Sequence, residues 1–107
     1  PRAWADRDPD AAARLAAARA GLARLAELHH LPVENLVAPD LVRRLTWTPP
    51  AVGDAGTVAE VLRAGGARPW QVELVTPGLV EALAVTAADV AEDTAARVDT
   101  ASEDVVR

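Results

Sequence analysis

With 107 residues, half of them apolar but many of those alanine, the chain has material for one modest hydrophobic core. It contains no cysteine, which excludes a disulfide framework and thiolate metal sites, and no apolar run approaches the ~20 residues that cross a bilayer. The net charge of −5 is unevenly placed: residues 1–84 carry nine arginines against ten acids, residues 85–107 two against six. This excludes a uniformly basic nucleic-acid binder, so any such contact must come from a local cluster of arginines.

Residues 1–8 read as a linker, with Trp4 either packing on the domain or serving an upstream contact. The domain proper is expected over residues 9–85. Its organising stretch runs from Ala11 to Trp47 and opens with a long helix over about residues 9–30. Leu15, Ala18, Leu22, Leu25 and His29 recur at alternating spacings of four and three, one face of an α-helix, and Ala26 and Leu28 widen that face. Asp8 can cap the helix with Pro9 at its first position, where a missing N–H is harmless, and Asp10 adds the favourable charge in the first turn. Pro32 ends the run.

Residues 33–37 (VENLV) read as a turn or extended link. A second helix follows, with Pro39 near its start, Leu41, Val42, Leu45 and Trp47 supplying apolar surface, and Thr48-Pro49-Pro50 stopping it. Residues 51–56 form a surface loop. Thr57 with Glu60 three residues later has a capping-box pattern that predicts a third helix over 58–64, ended by Gly65-Gly66. Arg68-Pro69-Trp70 opens a fourth helix, and Thr76-Pro77 looks like the cap and first position of a fifth over 78–84. Leu22, Leu25, Leu41, Leu45, Trp47, Leu62, Trp70, Leu74 and Leu83 are the expected core. Residues 86–107 form an acidic tail, read as a frayed helix or disordered, with Val90, Thr94 and Val98 as a thin stripe.

Little in the chain carries chemistry. Adjacent residues of a helix point about 100° apart, so His29 and His30 do not readily share a metal; one packed and one exposed histidine near a helix end is the plain reading. No histidine lies where Ser102 or a threonine would need one for a triad, and there is no glycine-rich phosphate loop, so neither catalysis nor a cofactor is implied. Arg43, Arg44 and Trp47 form the one suggestive cluster. Guanidinium groups grip phosphates and an indole can stack on a base. Arg68 opens a helix, where backbone N–H groups favour anions, and Arg14 and Arg24 are candidates to extend the patch. Against this, Arg43 and Arg44 can pair with Asp40, and Trp47 and Trp70 are the large side chains a core would claim.

The order of elements, with the segments LPVENLVAPDLVRRLTWTPP and ARPWQVELVTPGLVEAL, resembles the HRDC (helicase and ribonuclease D C-terminal) domain. It is similar in particular to the C-terminal segment of actinobacterial ribonuclease D-like proteins. The resemblance covers roughly residues 9–84. In one departure, the helix-hairpin-like Pro-Gly-Val-Gly turn of many HRDC domains is replaced here by Gly65-Gly66-Ala67-Arg68-Pro69, so that turn's phosphate contact does not carry over. The resemblance implies an all-α fold, a five-helix orthogonal bundle with a long first helix. It implies a non-catalytic accessory role, binding RNA or single-stranded nucleic acid weakly for an exonuclease or helicase domain upstream in the same chain. Missing even an initial Met, the sequence reads as a fragment or processed product. The zero cysteine count fits the cytoplasm. The alternative is a protein-docking or spacer domain that positions the catalytic part without strong nucleic-acid contact.

Overall fold

The computed structural model of the chain describes residues 8–89, so the expectations for residues 1–7, Trp4 included, and for the stripe at Val90, Thr94 and Val98 lie outside it. Among the described residues the structure is all-α. Five helices follow in order: α1 (Pro9–His29), α2 (Val33–Leu36), α3 (Pro39–Trp47), α4 (Ala55–Ala64) and α5 (Pro69–Leu83). A further helical turn begins at residue 87.

The long helix α1 starts as its sequence dictates. The Asp8 carboxylate accepts the Ala11 N–H at 3.0 Å, Pro9 opens the helix and Asp10 lies in the first turn. At 21 residues it extends about 32 Å. Its inward stripe is Ala11, Leu15, Ala18, Leu22 and Ala26, with Leu25 half-buried. Leu28 does not widen this face: two residues past Ala26 it points about 160° away and is 71% exposed. The helix ends at His30, in the left-handed region at φ 56°, where its N–H and that of Leu31 turn back to the last carbonyls.

Residues 33–36 form a helical turn rather than an extended link. Leu36 and Val37 are 0% and 2% exposed, and curling the segment brings both side chains into the core. Helix α4 begins three residues earlier than its capping-box pattern predicted. Asp54, not Thr57, is the cap, and its carboxylate accepts the Thr57 N–H at 2.8 Å. The largest correction is α5. The fourth and fifth helices read from the sequence are one continuous 15-residue helix with Pro77 inside it. Pro77 sits on the exposed face, so the carbonyl deprived of its partner faces water. On the buried face the Thr76 hydroxyl donates to Val72 O at 2.5 Å. The inward stripe Val72, Val75, Thr76, Leu79 and Ala82 runs unbroken across the proline.

Helices α3 and α5 pack on α1, α4 packs on α5, and α2 fits between α1 and α5. Leu22, Leu36, Leu41, Leu45, Val58, Leu62, Val75 and Leu79 are central to the shared core. Leu25, Leu74 and Leu83 border it. Trp70 was expected there and is instead 46% exposed, because the stripe through Val72 turns the second residue of α5 outward. Helices α1 and α5 run antiparallel. The C-terminal end of α1 lies beside Trp70, and the start of α1 meets the segment after α5, where the Asp10 carboxylate accepts the Ala87 N–H at 2.8 Å. At that exit Thr86 and Asp89 cap each other's backbone, each at 3.1 Å.

Candidate nucleic-acid interface

Helix α3 carries three of the four candidate residues. It is short and strongly amphipathic: Leu41, Val42, Leu45 and Thr46 face inward, which turns Arg43 and Arg44 out. The two arginines differ. Arg43 donates to the Asp40 carboxylate one turn back, so the pairing weighed from the sequence is made, in an exposed setting worth at most a few tenths of a kcal/mol. Arg44 is exposed, and its side chain makes no ion pair among the described residues. Trp47 is half-buried with its indole Nε1 enclosed by protein, so only part of its ring meets solvent.

Arg68 stands one residue before α5 and is exposed. Its backbone N–H is held by the Gln71 side chain at 2.7 Å, and the Gln71 amide donates to Asn35 O in α2 at 2.8 Å. That pair of bonds ties the start of α5 to α2. The turn preceding Arg68 touches the start of α3, because Gly65 is pressed against Leu41. Arg68 therefore lies toward the N-terminal end of α3, while Trp47 closes its far end. Arg44 lies between them along the axis, two turns or less from either end.

The remaining candidates fare differently from one another. Arg14 does not extend a surface patch: its Nε donates to Thr46 O at 2.8 Å, a half-buried bond that ties α1 to a carbonyl in the last turn of α3. Arg24 stays exposed, with its guanidinium beside Gly21 on α1. His29 and His30 are both exposed, since the stripe of α1 ends inward at Ala26. Among the described residues no three His, Cys, Asp or Glu side chains converge in a way that could hold a metal ion.

Two surface features had no place in the sequence reading. One is an apolar groove of about 290 Å³ between α1 and the α2–α3 segment, with Arg19 at its edge. The spacing of Leu15, Arg19 and Leu22 on one helix face was its only legible sign. The other is a wider hollow of about 510 Å³ where Trp70 and Leu74 of α5 meet His29 and Leu31.

Among the described residues the fold is an all-α bundle of the HRDC-like kind. The family model for the 3′ to 5′ exonuclease C-terminal domain matches residues 1–83, and the chain belongs to that family. A crystal structure of a protein from Bifidobacterium adolescentis is similar to it. That protein is 34% identical over the match, with a TM-score of 0.66. The match covers 77% of this chain and 19% of that one, so this chain spans about a fifth of that protein's length. No curated protein matches the chain. No helix among the described residues is long and apolar enough to cross a membrane.

Proposed function

We propose that this chain is the non-catalytic accessory domain of a ribonuclease D-like 3′–5′ exoribonuclease acting in the cytoplasm, and that it helps hold RNA for the catalytic part. Membership in the exonuclease C-terminal domain family carries this reading. The exposure of Arg44 and Arg68 supports it. Arg44 is the strongest phosphate contact and Arg68 the second. Arg43 contributes once it leaves Asp40, and the open part of the Trp47 ring offers a base a partial stacking surface. So few cations engage few phosphates, so isolated binding is weak and its salt slope shallow, about −0.7 per phosphate on a single strand. Tethering to a catalytic domain raises the effective concentration enough for a weak contact to matter. The test is a titration with single-stranded RNA at low salt, followed by amide shifts. Arg44→Glu with Arg68→Glu should abolish shifts around α3 and the start of α5, and Arg43→Glu alone should weaken them less. An unchanged response in the double variant refutes the reading.

The docking alternative has one observation in its favour. Trp70 is exposed beside Leu31 and Leu74 on a net-acidic fold, the kind of aromatic anchor that protein interfaces use. If docking on the upstream catalytic part is the main role, Trp70→Ala will weaken the association of the two parts and leave RNA shifts at Arg44 intact.

A further inference from the structure

The groove between α1 and the α2–α3 segment is almost wholly apolar. Leu15 and Leu22 form its α1 wall, Val33 and Val37 its floor, Pro39 and Val42 the wall from α3. Arg19 is the exception. It is exposed at the groove's edge and makes no ion pair or hydrogen bond among the described residues. A ligand matched to this geometry carries small branched apolar groups next to carboxylates.

The chain contains such a segment. Residues 99–106 read DTASEDVV: Glu103 and Asp104 stand directly before Val105 and Val106. The segment lies beyond the family match, which ends at residue 83, so the family does not account for it. Residues 90–107 hold five acids and two arginines, a net of −3 out of −5 for the whole chain. Reach is sufficient. Ala87, two residues before the last described position, is hydrogen-bonded to Asp10, and Arg19 is nine residues along α1, about 14 Å away. The 15 residues from Asp89 to Asp104 span about 22 Å as helix and about 50 Å extended.

We propose that residues 99–106 dock in this groove of the same molecule, Val105 and Val106 filling it and Glu103 and Asp104 facing Arg19. The docking goes beyond the RNA reading and does not depend on it. The contact is weak in bimolecular terms and is sustained by the millimolar effective concentration of a short tether.

The test uses the full chain, labelled at Val and Leu methyl groups, with no RNA present. Nuclear Overhauser contacts are expected from the Val105 and Val106 methyls to those of Leu22, Val33 and Val42, unchanged on tenfold dilution. Val105→Asp/Val106→Asp should abolish them and shift the groove methyls. Arg19→Glu should also abolish them, and adding Glu103→Arg/Asp104→Arg to Arg19→Glu should restore them. The proposal is overturned if wild type shows no such contacts and its groove methyls coincide with those of the valine variant. It is overturned equally if the contacts survive Arg19→Glu, or if dilution removes them, which would assign the occupant to a second copy.

Discussion

Gly21 and Gly65 lie at or near helix ends and interiors where alanine is sterically allowed for the backbone, yet the same substitution should act with opposite signs. Gly21 is in the middle of α1, where glycine is about 0.8–1.0 kcal/mol less favourable than alanine. A Cβ there meets only Arg24 Nη2, at 3.8 Å, an ordinary contact with a side chain that can move. Gly21→Ala should therefore stabilise the domain by about 1 kcal/mol, which raises Tm by roughly 4–8 °C at this size. Gly65 closes α4 at φ −82°, which alanine adopts freely, so restricting the unfolded chain would favour alanine by about 0.4–1 kcal/mol. Its Cβ, however, would lie 2.8 and 2.9 Å from the two Cδ atoms of Leu41 and 3.4 Å from Cγ. Leu41 is 5% exposed and cannot swing away without displacing the core, and overpacking of this kind costs about 1–3 kcal/mol. The net effect of Gly65→Ala is a loss of about 1 kcal/mol. Thermal and urea unfolding followed by circular dichroism measures both. The steric argument has a further check, because Leu41→Ala should cost less in the Gly65→Ala background than in wild type. A Gly65→Ala protein that melts above wild type, or strictly additive Leu41 and Gly65 effects, would refute it.

Leu22→Ala should destabilise by about 2–5 kcal/mol, read from denaturant midpoints, since Leu22 is 3% exposed among α1's core neighbours. Arg14→Ala removes the bond from α1 to Thr46 O and should cost about 1–2 kcal/mol, with faster amide exchange in the last turn of α3. His30→Gly should raise Tm by a few degrees, because it relieves a left-handed conformation that costs a non-glycine residue roughly 1 kcal/mol. Asp54 gives a pH dependence. The Thr57 backbone N–H, and then its hydroxyl, hold the carboxyl below the usual aspartate value of 3.8. Its capping contribution is thus complete above that value and is lost as pH falls through the lower folded value. Melts between pH 6 and pH 2 should show a smaller acid loss in Asp54→Asn than in wild type, because the amide caps without titrating.

The start of α1, the outward turn of at least one of Arg43 and Arg44, and most of the leucine core were legible because each rests on a local rule: a cap, a proline, a period of 3.6. What was illegible depended on burial decided elsewhere. Thr76-Pro77 has a proper helix-start pattern, and only the uninterrupted inward stripe from Val72 to Ala82 shows that the helix passes through it. Thr57 lost the cap to Asp54, which caps better by a few tenths of a kcal/mol and stood just outside the capping-box pattern. Trp70 read as core because large aromatics usually are, but its position one residue into α5 sets it opposite the stripe. At the candidate site, local periodicity could say that at least one of Arg43 and Arg44 points outward. It could not say that Arg14, equally polar and equally helical, would be claimed by a carbonyl on α3.

The bond between Asp10 and Ala87 brings the start of α1 and the segment after α5 to the same pole of the bundle. A helical unit whose ends are clasped in this way is built as a pendant on a closed loop rather than as a bead on a string. Replacing residues 9–86 by a short glycine-serine bridge would leave the flanking segments at nearly the same separation. Tension applied through those segments would load the clasp at that pole first, opening α1 from the α5 exit one contact at a time before the leucine core between α1, α3 and α5 bears any of it.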